Sequence, residues 1–185
     1  PKERRISVAA FRDRVVHHSL VNILEPIFEK RFIYDSYATR KCKGTHRAIA
    51  RAQHFIKQNR WYLKMDVRKY FDSINHEVLN SIIARSIKDP FILKLCARII
   101  AKGGNGRSGL PIGNLTSQFF ANVYLDVFDH FIKERNRIKY YLRYMDDFCI
   151  FSNDKIFLKE MKIIVIEYLK AVLNLEIKDS AVLLN

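Results

Sequence analysis

The chain has 185 residues, 49% of them hydrophobic, enough for one core or two small ones. A formal charge of +14 and a pI near 9.8 attract polyanions, so nucleic acid is the first partner to consider and an anionic membrane surface the second; a basic enzyme without a polyanionic partner is the bland alternative. Cys42, Cys96 and Cys149 are too far apart for a zinc site and odd in number, which argues against a disulfide framework and fits a reducing compartment.

His17-His18 are neighbours that point apart on a helix, and no Cys/His pair has ligand spacing, so neither is read as a metal ligand. There is no signal peptide, and charges interrupt every apolar run of membrane-spanning length, so no membrane partner is expected. Residues 1–20, "PKERRISVAAFRDRVVHHSL", begin basic and become amphipathic, which predicts a short strand leading into a helix through about Phe28. A loop dense in Arg and Lys follows, then a helix from about Thr45 to Lys57. "WYLKMDV" predicts a strand with Trp61, Leu63, Met65 and Val67 on one face and Tyr62, Lys64 and Asp66 on the other.

Residues 76–101 predict one or two helices with a break at Asp89-Pro90. "KGGNGRSGLPIG" is a loop with five of the six glycines. Leu115, Phe119, Val123, Val127 and Phe131 recur every four residues, a long helix capped by Asn114. "YYLRYMDDFCIF" predicts a β-hairpin turning at Asp146-Asp147 without the usual glycine. A helix over about 155–173 and a short strand near Leu175–Lys178 complete the order. Strand, helix, strand-turn-strand, helix, strand from Trp61 onward predicts an α+β, ferredoxin-like (split βαβ) antiparallel sheet backed by helices.

That topology brings Asp66 and Asp146 together although they lie 80 residues apart. Alternation puts Leu142, Tyr144 and Asp146 on one face, making Asp146 the better ligand candidate and Asp147 the more peripheral. Clustered carboxylates repel and take up protons unless a cation compensates. Oxygen-only ligands suggest magnesium, and two ions about 4 Å apart serve in-line phosphoryl displacement. A solvated strand edge and a polar turn is the competing reading of the same residues.

The chain resembles a reverse transcriptase over essentially its whole length. The blocks that carry the likeness are "KERRISVAAFRDRVV", "SYATRKCKGTHRAI", "LKMDVRKYFDSI", "GLPIGNLTSQFFANVYL" and "YMDD", in family order. The resemblance implies a right-hand polymerase with fingers at 1–60 and 78–112 and palm at 61–77 and 113–185. It implies that Asp66, Asp146 and Asp147 are catalytic and bind metal, with the Val67 carbonyl as a further ligand. Lys2 and Arg4 would grip the triphosphate, Tyr70 would lie under the sugar and exclude a 2′-hydroxyl, and Ile112 and Gly113 would stand near the incoming nucleotide. Arg40, Lys41, Lys43, Asn114, Gln118, Tyr144 and Met145 would contact nucleic acid. Implied partners are an RNA template, a DNA or RNA primer, deoxynucleotide triphosphates and an accessory protein, in a bacterial cytoplasm.

Within the family the chain is most similar to the enzymes of diversity-generating retroelements. Ile112 stands where most reverse transcriptases have Gln, and Ser117-Gln118 where Ser-Pro is commoner. Losing an amide beside the nucleotide loosens the penalty on misfits, which implies error-prone copying. A group II intron maturase or a retron enzyme is the nearer alternative, and a non-catalytic RNA-binding module the more distant one. No primer-gripping hairpin or helical thumb is read in the sequence. With its start at Pro1, the chain is expected to be a fragment with weak, non-processive synthesis.

Overall fold

The computed structural model describes residues 6–178 and 182–184. Strands β1 (Trp61–Asp66), β2 (Tyr141–Tyr144), β3 (Asp147–Ser152) and β4 (Val182–Leu184) form one sheet in the order β2-β3-β1-β4. All three pairings are antiparallel. This is the split βαβ arrangement that the residue pattern predicts, and the architecture is α+β. The helices are α1 (Phe11–Glu29), α2 (Thr45–Ile56), the single turn α3 (Tyr70–Ser73), α4 (His76–Ser86), α5 (Pro90–Ala101), α6 (Leu115–His130) and α7 (Lys155–Leu173). Among the described residues, no helix is long and apolar enough to cross a membrane.

Two compact units share the chain. One comprises the segment up to Arg31 together with Phe71–Leu125; the other comprises Phe32–Tyr70 and the chain from Asp126 onward. In the first unit, α1 buries His17, Leu20, Val21, Leu24 and Phe28, and the Phe28 ring meets Phe119 edge-on at 5.6 Å. The break between α4 and α5 falls at Asp89-Pro90 as expected. Asp89 accepts from the Phe91 and Ile92 N–H groups, and Pro90 occupies the first helical position, where a missing N–H costs nothing.

In the second unit the sheet has two unlike faces. One is apolar: Leu63, Met65, Phe148, Ile150 and Tyr141 are buried, and Phe128 packs against Phe148 at 5.0 Å. The inward stripe of α7 is Leu158, Met161, Val165, Leu169 and Leu173. Asp154 caps that helix and Asn174 ends it in left-handed backbone. On the other face α2 covers one end through a cluster of Tyr37, Ala48, Phe55, Leu142 and Phe151. The far end, at Asp66, is left uncovered by that cluster.

Two expectations need correction. Residues 6–10 form no strand before α1. The last strand is Val182–Leu184, pairing with Tyr62–Lys64, whereas Leu175–Lys178 contributes a single bridge between Ile177 and Val67. Helix α6 is buried on nearly every side, from Phe119 to Asp126 without interruption. The long helix read from the four-residue stripe is present, and its polar residues Asn122 and Asp126 are buried with the apolar ones. Beyond it the chain widens into a π-helical turn, Phe131–Arg135.

Candidate active site

β1 and β3 pair so that Asp66 stands opposite Asp147, Met65 opposite Phe148 and Lys64 opposite Cys149. Cross-strand partners project to the same side, so both carboxylates leave the face opposite the Leu63–Met65 core. The turn is Met145-Asp146, because Tyr144 already pairs with Asp147. The expected turn at Asp146-Asp147 is therefore one residue too late. Met145 takes the positive φ, 55°, at the first central position that a type II′ turn normally gives to glycine. The alternation through Leu142 and Tyr144 ends with β2, so Asp146 lies in the turn and Asp147 is the residue in register with Asp66. The Val67 N–H donates to the Asp146 carbonyl at 3.4 Å, tying the end of β1 to that turn.

Like charges opposite one another across strands are destabilising unless offset. Burial, and then the charges of Asp66 and Asp147, push the Asp146 carboxyl above its usual range. Burial and Asp66 do the same to Asp147, against the pull of Lys64 and Lys178. Lys64 Nζ lies 3.8 Å from Asp147, and the Lys178 ammonium donates to Asp66 Oδ2. The second oxygen, Asp66 Oδ1, is buried and accepts no hydrogen bond. A bare buried carboxylate oxygen beside two further carboxylates is a donor set that fits a hard divalent cation. Among the described residues no group of three or more His, Cys, Asp or Glu side chains is placed to hold a metal ion by itself. Magnesium sites in phosphoryl chemistry need only one or two carboxylates, with water and phosphate supplying the rest.

A buried ion pair underneath was not foreseen. Arg143 and Asp129 are both 0% exposed and meet at 2.6 Å. Tyr141 adds its hydroxyl to Asp129 at 2.7 Å, and Arg143 Nη1 donates to the Met145 carbonyl at 3.0 Å. The strained turn is thus clamped from below by a neutralised guanidinium. The signal was in the sequence: Arg143 interrupts an apolar strand on its core face.

The remaining candidates separate by environment. Tyr70 is 2% exposed and belongs to the core; the adjacent Phe71 keeps exposed surface. In the first unit, the Ile112 carbonyl accepts from Ser7 N–H at 2.8 Å, and Asn114 Oδ1 accepts from Ala9 N–H at 3.3 Å. Gly113 has φ 114°, and a Cβ there would stand 2.8 Å from Ile6 Cγ2, so glycine is needed for residues 6–9 to lie alongside. Gln118 is partly buried in α6. The Tyr144 hydroxyl lies 3.0 Å from Thr45 Oγ1. Arg40 braces its own loop through the Ile33 and Ser36 carbonyls at 2.7 and 2.8 Å. Lys43 reaches the Tyr34 carbonyl at 2.7 Å, and Lys41 is exposed. Lys2 and Arg4 lie outside the described residues.

The chain shares sequence and fold with known proteins. The chain is 30% identical over 146 residues to the protein YkfC of Escherichia coli, covering 72% of this chain and 38% of that one. It is 28% identical over 138 residues to the group II intron-encoded protein LtrA of Lactococcus lactis, covering 71% of this chain and 23% of that one. The chain thus spans well under half the length of these relatives. Among solved structures it is similar in fold to an apo telomerase from Candida tropicalis, with a TM-score of 0.61 at 20% identity, covering 93% of this chain and 40% of that one. A telomerase from Candida albicans in complex with a telomeric RNA fragment gives 0.62 at 13% identity, covering 93% and 34%. The family model described as reverse transcriptase (RNA-dependent DNA polymerase) matches residues 1–180, and the chain belongs to that family.

Proposed function

We propose that the chain supplies the fingers (1–60 and 78–112) and the palm (61–77 and 113–185) of an RNA-directed DNA polymerase. The observation that carries this is Asp66 in register with Asp147 beside the Asp146 turn, on one open sheet face. Bound at these carboxylates and the Val67 carbonyl, two magnesium ions would activate the primer 3′-hydroxyl and steady the leaving pyrophosphate. The chain's own part is positional: the sheet fixes the carboxylates in advance, so they need no reorganisation when substrate arrives. Lys2 and Arg4 serve the triphosphate, Ile112 and Gly113 the nucleotide, and Arg40, Lys41, Lys43, Asn114, Gln118, Tyr144 and Met145 the template–primer. Its template is RNA and its setting the bacterial cytoplasm.

Sugar selection passes from Tyr70 to Phe71, the aromatic of the pair that keeps exposed surface. Phe71→Val raises ribonucleotide incorporation by on the order of tenfold or more, since steric exclusion is lost. Tyr70→Phe leaves sugar choice unchanged. Single-nucleotide incorporation with matched deoxy- and ribonucleotides reads both, and the opposite pattern would return the role to Tyr70.

The finer reading is the error-prone enzyme of a diversity-generating retroelement, supported by Ile112 and by Ser117-Gln118. A second reading, a group II intron type of enzyme, is favoured by the similarity to LtrA. Primer extension on a defined RNA template, with each product sequenced, separates them. Errors concentrated at template adenines support the retroelement; accurate extension favours the intron type. Tight RNA binding with no extension would replace both with a non-catalytic binding module.

A further inference from the structure

We propose that Lys178 is a built-in counter-cation of the carboxylate site, one that a divalent ion must displace to enter. The inference rests on the metal-dependent reading above and adds a means of regulating that site. Its ammonium donates to Asp66 Oδ2, and its charge also acts on Asp146 and Asp147. Of the cations paired with the three carboxylates, Lys64 lies 3.8 Å from Asp147, so Lys178 makes the closer engagement.

The backbone explains why Lys178 stands there. Its own N–H donates to the Asp66 carbonyl at 2.9 Å, and the Arg68 N–H donates to the Glu176 carbonyl at 2.7 Å. Together with the Ile177–Val67 bridge, these bonds hold the segment beside the end of β1 whatever the side chain does. The side chain itself is 36% exposed and has room to leave. Lys178 also lines an open groove of about 440 Å³ with Arg68, Lys170 and Glu176. A long flexible stem with a compact charge suits such an exchange, whereas a guanidinium would hold both carboxylate oxygens.

One ammonium offsets part of the repulsion among three carboxylates, and Asp66 Oδ1 remains bare. An entering divalent cation takes over both tasks, and Lys178 moves out. The exchange sets a threshold: the site fills only when the cation outcompetes a tethered rival held at high local concentration. Removing the rival tightens metal binding.

The test uses manganese(II) as the probe, with free ion counted by electron paramagnetic resonance on the 185-residue chain. Lys178→Met is expected to bind manganese about tenfold more tightly than the native chain, and Lys178→Arg no more tightly. In the native chain, acylation of Lys178 by a water-soluble amine reagent, followed by mass spectrometry, is expected to speed up several-fold when manganese is added. Equal or weaker manganese binding by Lys178→Met overturns the proposal. So does acylation that is unchanged or slowed by the metal, a result that stands even if the variants fail to fold. Asp66→Ala separates this from the parent reading: native binding that survives the substitution removes the carboxylates as the metal site altogether.

Discussion

Asp66→Ala and Asp146→Asn each reduce RNA-templated primer extension by roughly 10³-fold or more, the scale lost when an electrostatic transition-state contact disappears. Neither weakens the fold to match. Asp66 occupies the last position of β1, outside the apolar stripe, and Asp146 lies in the turn. The raised carboxyl of Asp146 sharpens this expectation. A carboxyl whose folded value stands above its unfolded one costs stability near neutral pH, and that cost fades as pH falls through the folded value. Asp146→Asn removes the charge, so without divalent ions its melting temperature at pH 7 equals or exceeds the native one. The advantage disappears on acidification. Thermal melts at pH 7 and pH 4, beside extension assays, check both halves. Retained extension would take the carboxylates out of the chemistry, and a melt several degrees lower at pH 7 would show that the site is not strained.

The carboxylate site is a place where local rules and function disagree, and that is why parts of it were legible. Alternation in "WYLKMDV" gave Asp66 its face because a strand with one wet side has a period of two. The hairpin was visible from β-formers on both sides of the aspartates, yet its turn was misplaced by one residue. Nothing in the sequence marks Met145 as left-handed, since methionine has no such preference and the Arg143 contact that holds it there is tertiary. Tyr70 and Phe71 could not be told apart because adjacent aromatics in a one-turn helix differ only in what covers them. Helix α6 hid its depth in the same way: Asn122, Asp126 and Asp129 break the apolar pattern, and all three are buried. The order of the sheet, by contrast, followed from element order alone, because few topologies join those elements without crossing.

Arg143→Met has the largest expected effect on stability. It leaves Asp129 with the Tyr141 hydroxyl and no guanidinium, in a place where neither Arg143 nor Asp129 is exposed. Breaking a buried pair from one side costs about 3–5 kcal/mol, because an uncompensated charge stays behind. Urea denaturation at neutral pH reads that loss directly. The double substitution Arg143→Met with Asp129→Leu removes both charges and is expected to recover most of it, since apolar replacements of a buried pair are often neutral or better. Recovery of the fold does not bring recovery of function. The bond from Arg143 Nη1 to the Met145 carbonyl is gone in the double variant, and with it the clamp on a left-handed non-glycine residue. A turn displaced by about 1 Å moves the Asp146 carboxylate off its working position, for which a loss on the order of 10²-fold in extension rate is expected. Stable folding with weak extension is therefore the result that makes Arg143 a positioning residue. Stable folding with native extension would reduce the pair to a piece of the core.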